Sequence, residues 1–169
     1  MQETPQQYTQ RMLSYSEDRD PLLLQRAAPK KLAALIKGKQ KKQLTRRSAP
    51  GKWSIAEIMA HLADSEIVIA WRLRQILSVN GAPLQAYDQD LWASTFDYAH
   101  RDPRQSLESF RVLRESNLAL LKAVPRTMWE NYGMHQERGK ESVEHFVRMV
   151  AGHDLNHLRQ VEAILNGKR

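Results

Sequence analysis

Cysteine is absent from this chain of 169 residues. Its absence excludes a disulfide scaffold, a cysteine zinc finger, an iron–sulfur centre and a cysteine nucleophile of the protein's own. A reducing compartment suits such a chain. The polar start MQETPQQYTQ lacks the apolar core of a signal peptide, and the apolar run Ile67–Trp71 is far too short to span a membrane. We therefore expect a soluble, cytoplasmic protein with a single domain over residues 1–169.

Acidic residues are missing from one segment, and this explains the net charge of +7. Residues 21–56 contain no Asp or Glu, whereas the rest of the chain is slightly acidic. The segment has no aromatic residue before Trp53 on which bases could stack, so nucleic-acid binding is disfavoured. A solvated helix end and loop is the favoured interpretation, and capture of an acidic molecule is the alternative. The basic residues of the segment are Arg26, Lys30, Lys31, Lys37, Lys39, Lys41, Lys42, Arg46, Arg47 and Lys52.

Strand patterns are nearly absent, and helix signals divide the chain into four stretches. Asp20–Pro21 and Asp102–Pro103 each read as an N-cap followed by proline, and Ser54 with Glu57 forms a capping box. Pro29 predicts a second break in the first helix. We therefore predict an all-α four-helix bundle whose first helix is broken. A long aromatic loop, residues 80–101, joins helices two and three and folds over one end of the bundle. The helical stretches are residues 6–37, 54–79, 102–123 and 141–166.

Three polar residues interrupt the apolar stripe of the last helix. His153, Asp154 and His157 fall on the face that should be buried in the bundle, where each needs a partner. His153 and His157 are four residues apart, so their rings project from one face one turn apart. Helices that give two imidazoles to one metal ion use this spacing. Core histidines that bond to backbone carbonyls are the alternative.

A third imidazole is available on the second helix. His61 lies at the edge of that helix's apolar stripe, where it faces a groove between helices. Together His61, His153 and His157 would hold a divalent metal and leave an open position, as in catalytic zinc sites. Glu66, one turn further on, could be an added ligand, a proton acceptor or a salt-bridge partner.

The remaining candidates have simpler interpretations. Asp154 could orient a ligand histidine, or it could pair with Arg72 or Arg159. Trp53 precedes a helix cap and fits a hydrophobic staple. The other histidines are His145, expected in solvent, and His100 and His135, expected in loops, with His135 as an alternative contributor to the site entrance.

Two segments resemble the DinB-like, or YfiT-like, superfamily. They are GKWSIAEIMAHLADSE, residues 51–66, and GHDLNHLRQVEAIL, residues 152–165. The resemblance covers almost the whole chain, and it is the ordered combination of motifs that is specific. It implies a four-helix bundle, usually a homodimer, with a divalent metal held by His61, His153 and His157. Characterised members include bacillithiol transferases, the mycothiol-dependent maleylpyruvate isomerase and metal-dependent hydrolases.

The leading hypothesis is a metal-dependent enzyme. Zinc or nickel at the three histidines would activate a low-molecular-weight thiol cosubstrate for transfer to an electrophile, or water for hydrolysis. Glu66 is the candidate proton acceptor in either reaction. The alternative is a non-catalytic dimeric bundle that binds metal structurally or serves as a stress-response module. Metal identity, thiol and electrophile do not follow from the sequence.

Overall fold

Residues 3–167 are described by a computed structural model; residues 1, 2, 168 and 169 of the predicted domain lie outside the described residues. The helices are α1 Pro5–Tyr15, α2 Pro21–Ile36, α3 Lys41–Thr45, α4 Ile55–Ser78, α5 Gln89–Thr95, α6 Pro103–Ala123 and α7 Val143–Leu165, with a 3₁₀ turn at Arg126–Glu130. The strands are β1 Ala82–Leu84, β2 Tyr132–His135 and β3 Gly139–Ser142.

The long helices begin at the capping residues expected from the sequence. The Asp20 carboxylate accepts hydrogen bonds from two backbone N–H groups at the start of α2, and Asp102 does the same for α6. Ser54 and Glu57 form the reciprocal capping box of α4. Ser142 accepts from the backbone N–H of His145 and begins α7. These caps satisfy N–H groups that have no partner inside the helix.

Helices α2, α4, α6 and α7 form the bundle. Helix α4 packs against α6 and α7, and α2 packs against the same two helices. Helix α1 lies against α7, where Gly152 allows a close approach: a Cβ at that position would be 1.8 Å from the carbonyl oxygen of Met12. The four-helix bundle with a broken first helix is thus confirmed. No helix in the described part of the chain is both long and apolar enough to cross a membrane.

The predicted break at Pro29 is wrong, because α2 runs continuously from Pro21 to Ile36. Proline lacks an N–H, so the carbonyl of Gln25, four residues earlier, loses its helical donor. The Arg114 guanidinium replaces that donor, with Nη1 3.2 Å from the Gln25 oxygen. Helix α2 ends at Ile36, one residue before the predicted end, and is followed by Gly38 with a φ of 72°.

The expectation that strands are nearly absent needs a correction, since a three-stranded sheet covers one end of α4. Strand β1 pairs in parallel with β2, and β2 pairs antiparallel with β3. The strands have three or four residues, too few to show an alternating pattern. Gly133 lies inside β2, where a Cβ would be 2.6 Å from Leu84. The aromatic loop therefore contains β1 and the short helix α5.

Candidate metal centre

Three imidazoles from two helices meet at one point inside the bundle. His61 comes from α4, and His153 and His157 come from successive turns of α7. The Nε2 atom of His153 lies 3.1 Å from Nε2 of His61 and 3.1 Å from Nε2 of His157. One ligand atom from each residue lies within 4.8 Å of the other two. The structure thus brings together the three histidines that the sequence analysis selected.

Hydrogen bonds orient two of the three rings. His157 Nδ1 lies 2.9 Å from Oε1 of Gln160, an amide oxygen that can only accept, so Nδ1 carries the proton. The Nε2 atom of a neutral His157 then has a free lone pair directed at the centre of the cluster. Ser65 Oγ lies 3.4 Å from the ring nitrogens of His61 and 3.0 Å from the hydroxyl of Tyr87.

Burial keeps the three imidazoles neutral. It lowers the pKa of His157 to about 4, and it lowers the pKa values of His61 and His153 well below the ordinary value of 6.5. The neighbouring histidines lower the pKa values of His61 and His153 further, because two adjacent imidazolium ions would repel each other. Neutral imidazole is the form that binds metal ions.

The donor set fits a divalent metal ion. Metal–nitrogen bonds of about 2.1 Å place two ligand nitrogens about 3.0 Å apart at a right angle and about 3.4 Å apart at the tetrahedral angle. The observed separations of 3.1 Å fall between these values. Zinc, nickel, copper and iron all accept imidazole, so the donor set does not select one ion.

A buried ionic network lies behind the cluster and contains Glu66 and Asp154. Arg114 is 1% exposed and donates to both carboxylate oxygens of Glu66, at 2.9 and 2.8 Å. It also donates to both carboxylate oxygens of Asp154. Asn117 Nδ2 adds a bond of 2.8 Å to Glu66. Burial alone would lower the pKa of Arg114, but the charges of Asp154 and Glu66 raise it, so the guanidinium stays charged.

The contacts in this network test the roles that were predicted for Asp154 and Glu66. The proposed pairing of Asp154 with Arg72 or Arg159 is wrong, because Arg114 is its partner. Asp154 Oδ1 lies 4.0 Å from His153 Nδ1, which is beyond hydrogen-bonding distance. For Glu66 the structure shows the salt bridge; within residues 3–167 no hydrogen bond joins it to the three histidines. Its role as an added ligand or proton acceptor stays a prediction.

Two cavities flank the histidine cluster. One, of about 290 Å³, is lined by His61 and His153 together with Ser65, Arg72 and Tyr87. The other, of about 490 Å³, is lined by His157 together with Lys52 and Trp53. Three residues line both cavities: Glu3, Tyr8 and Gln89. The cluster is therefore accessible to small molecules from two sides.

The other histidines lie apart from this centre. His100 is exposed and contacts Asp97, and His145 is half-buried rather than fully in solvent. His135 lies in β2 rather than in a loop; it is buried and does not line the two cavities beside the cluster. The Trp53 ring contacts His61 with centroids 4.9 Å apart and planes tilted by 53°, and it packs on the core.

The basic segment 21–56 behaves mainly as a solvated surface. Nine of its ten basic residues are exposed, and Lys39 is half-buried. Arg47 pairs with Glu57 at the start of α4. Lys52 lines the cavity beside His157, so one cation of the segment does lie at the site.

The sequence analysis missed four residues around the cluster: Arg114, Gln160, Ser65 and Tyr87. Arg114 and Asn117 lie in the buried stripe of α6 with Leu107, Phe110 and Leu121. Polar residues in the apolar stripe of α7 indicated a functional site there. The same criterion applied to α6 would have selected Arg114. Gln160 is exposed and three residues after His157, a spacing with little specificity.

Comparisons with known proteins agree with the fold. Residues 24–161 match the DinB superfamily. A protein of Oceanobacillus iheyensis named "Putative metal-dependent hydrolase" is 26% identical over 126 residues, which cover 75% of this chain and 73% of the relative. The Bacillus subtilis protein of the same description, YfiT, is 24% identical over 135 residues, or 79% of this chain and 75% of YfiT.

A solved structure shows the same architecture. The structure of Bacillus subtilis YfiT is described as a probable metal-dependent hydrolase with an unusual four-helix bundle topology. It superposes with a TM-score of 0.80 at 21% identity and covers 85% of this chain and 83% of YfiT. The match over residues 24–161, more than half of the sequence, makes this chain a member of the DinB superfamily.

Proposed function

We propose that this protein is a metal-dependent hydrolase whose metal is held by His61, His153 and His157. The observation that carries the proposal is the convergence of three neutral imidazole nitrogens between two cavities. A divalent ion bound there would supply a nucleophilic hydroxide at neutral pH. Three protein ligands leave a coordination position for water, which is the arrangement of catalytic rather than structural sites. The names of the relatives support the same chemistry.

The protein's own residues hold the site in place. Gln160 fixes the proton of His157 on Nδ1, and Ser65 contacts His61 while bonding to Tyr87. The apolar walls Val68, Ile69 and Val150 exclude bulk water from one side of the 290 Å³ cavity. A substrate that enters this cavity would lie beside His61 and His153.

Thiol transfer is a second candidate, and the paired cavities favour it. A transferase must hold a thiol and an electrophile together, and the cluster has space on both sides, about 290 and 490 Å³. The chain has no cysteine, so the thiol would be a low-molecular-weight cosubstrate. Coordination to the metal would deprotonate that thiol.

Cobalt-substituted protein tests the proposed function. Visible spectra would be recorded from pH 5 to 9, and then at pH 7 with increasing 2-mercaptoethanol. A hydrolase predicts a spectral transition near pH 7, when bound water ionises, together with metal-dependent cleavage of activated esters. A thiolate-to-cobalt charge-transfer band, with consumption of a model electrophile, would favour transfer. A spectrum that responds to neither pH nor thiol would mean a closed, structural site and would overturn both proposals.

A further inference from the structure

The cavity beside His61 and His153 contains a buried arginine, Arg72. Arg72 on α4 is 6% exposed and lines this cavity. In residues 3–167 its guanidinium forms no ion pair, and its one hydrogen bond runs from Nη2 to the carbonyl oxygen of Gln85. The ring of Tyr87 lies 5.9 Å from the guanidinium carbon. A buried charge without a counter-charge is costly, so this position calls for an anionic partner.

Of the carboxylates near Arg72, Glu141 and Glu3 pair with other arginines, whereas the exposed Glu137 pairs with no described residue. Glu141 accepts from Arg138 at 2.6 and 3.0 Å, and both of its oxygens are used. Glu3, at the rim, pairs with an arginine on α1 at 2.8 Å. Glu137 is exposed at the rim and makes no ion pair with another described residue. Burial and then the charge of Arg138 lower the pKa of Arg72, and the carboxylate of Glu141 only partly opposes them.

The remaining donors of Arg72 face open space. Only two buried side-chain polar atoms in the described chain lack a partner, and these are the Tyr98 hydroxyl and Nε2 of His135. The N–H groups of Arg72 that do not bond to Gln85 are therefore accessible. The cavity is the space that Arg72 lines, so these groups are available to a ligand inside it.

Arg72 lies about three turns after His61 along α4 and lines the same cavity. His61, Ser65 and Arg72 all line the cavity and are separated by four and seven residues along α4. The eleven positions from His61 to Arg72 correspond to a rise of about 16 Å along the helix axis. A ligand that reaches both must carry its anionic group and its reacting group at opposite ends.

We infer that Arg72 binds a carboxylate of the substrate, while the other end of the substrate lies at the three-histidine cluster. This inference rests on the proposed function, because it assigns a substrate class to the same site. The guanidinium is planar and presents parallel N–H groups that match a carboxylate in a two-point, charge-assisted contact. A single guanidinium also matches the single charge of a carboxylate. The substrate is therefore an elongated small molecule with a terminal carboxylate.

A homologous series of hydroxamates tests the inference on the zinc-loaded protein. Each member carries a hydroxamate, which binds zinc, and two to six methylene groups that end in a carboxylate or in the neutral carboxamide. Calorimetry would give the dissociation constants. At one or more chain lengths we expect the carboxylate to bind at least about tenfold more tightly than its carboxamide.

Matched variants assign the preference to Arg72. We expect Arg72→Gln to abolish the preference and Arg72→Lys to keep part of it. Arg74→Gln, an equal loss of charge on the exposed side of the same helix, should keep all of it. Circular dichroism would confirm that each variant is folded. Equal binding of carboxylate and carboxamide at every length, or a preference that survives Arg72→Gln, would overturn the inference.

A metal-free measurement separates this inference from the proposed function. Nuclear magnetic resonance of the apo protein would follow the arginine side-chain N–H signals during addition of hexanoate or hexanamide. We expect hexanoate alone to shift a signal that is missing in Arg72→Gln. If the protein takes up no zinc and yet shows this shift, the proposed function fails and the carboxylate site stands. If hydroxamates bind the zinc protein but neither experiment shows a carboxylate effect, only the inference fails.

Discussion

Neutral, largely buried imidazoles are the residues on which the proposed chemistry of this protein depends. His61 and His157 are buried, and His153 is largely covered at the floor of a cavity. Burial favours the neutral form, and neutral rings can face one another at 3.1 Å without the repulsion that charged rings would feel. Burial therefore keeps these imidazoles in the neutral form that binds metal ions.

Because the pKa of the buried His135 is lowered, we expect the free energy of unfolding to depend on pH. Burial, followed by the charges of Arg138 and Arg72, lowers the pKa of His135 to about 4, and Glu141 opposes this. The unfolded chain has a pKa of about 6.5 and binds the proton first as pH falls, so stability is lost from about pH 6.5 downward. Between pH 8 and 5 the wild type should lose about 2 kcal/mol more of its unfolding free energy than His135→Gln.

Urea unfolding of both proteins in excess chelator would measure this difference. The other histidines contribute equally to the two proteins, so the comparison isolates His135. Parallel profiles for the wild type and the variant would contradict the prediction.

Gln160 predicts an effect on metal affinity without an effect on folding. Its amide oxygen holds the proton of His157 on Nδ1, and its side chain is otherwise exposed. Gln160→Met should weaken metal binding about tenfold, because the ligand loses the group that orients it. Gln160→Glu keeps an acceptor and should retain the affinity. Competition with a chromophoric chelator measures both constants, and equal affinities in the Met variant and the wild type would refute this role.

At the scale of elements, one arginine joins four parts of the bundle. Arg114 on α6 bonds to Gln25 on α2, Glu66 on α4 and Asp154 on α7. It pairs with two buried carboxylates and also supplies the hydrogen bond that Pro29 removes from α2. Arg114 thus supplies the donor that Pro29 lacks, and α2 remains a single helix.

Removing this arginine should destabilise the whole bundle. Arg114→Met leaves two carboxylates buried without a counter-charge, and we expect a loss of about 3–5 kcal/mol in the free energy of unfolding. The triple variant Glu66→Gln, Arg114→Met, Asp154→Asn should recover part of that loss. Arg111→Met, on the exposed face of α6 where it pairs with Glu108 and Glu115, should change stability little. Equal effects of the two single substitutions, measured by urea unfolding, would show that the buried network contributes little.

The contact between α1 and α7 depends on Gly152. An added Cβ would lie 1.8 Å from a backbone oxygen of α1, and backbone cannot move as a side-chain end can. Gly152→Ala should therefore cost more than about 2 kcal/mol, despite the better helix propensity of alanine. Glu162→Ala, on the exposed side of the same helix, should be nearly neutral. A thermal midpoint of Gly152→Ala at or above that of the wild type would contradict the close approach.

The elements and ligands that follow from local patterns were predictable from the sequence. Asp20, Ser54 and Asp102 predicted their helix starts, because capping depends on neighbouring residues alone. His61, His153 and His157 were selected because a polar residue in an apolar stripe is informative without any tertiary contact.

What escaped prediction depends on contacts between distant parts of the chain. The continuity of α2 through Pro29 depends on Arg114, which is 85 positions away along the chain. The strands β1 and β2 pair across about 50 residues and are too short to show a period of their own. The pairing of Asp154 is likewise decided by packing of α6 on the bundle, which no local pattern encodes.

For the whole molecule, most basic residues of segment 21–56 do not line the two cavities beside the histidine cluster. The positive excess lies on the mainly solvated segment 21–56, and one of its ten basic residues, Lys52, lines a cavity beside the cluster. The expected homodimer, cytoplasmic location and lack of nucleic-acid binding stay predictions. They concern partners and surroundings, whereas the three-histidine cluster is built from residues of one chain.

The metal content of the purified protein tests the central claim most directly. Tag-free wild type would be reconstituted with zinc or nickel, passed through a desalting column and analysed for metal per chain, beside His157→Gln and the exposed-site control His100→Gln. Three converging imidazoles predict about one equivalent per chain in the wild type and the control, and strong loss in His157→Gln. A wild type that retains neither metal, or a His157→Gln variant that retains as much as the wild type, would contradict a metal centre at these three histidines.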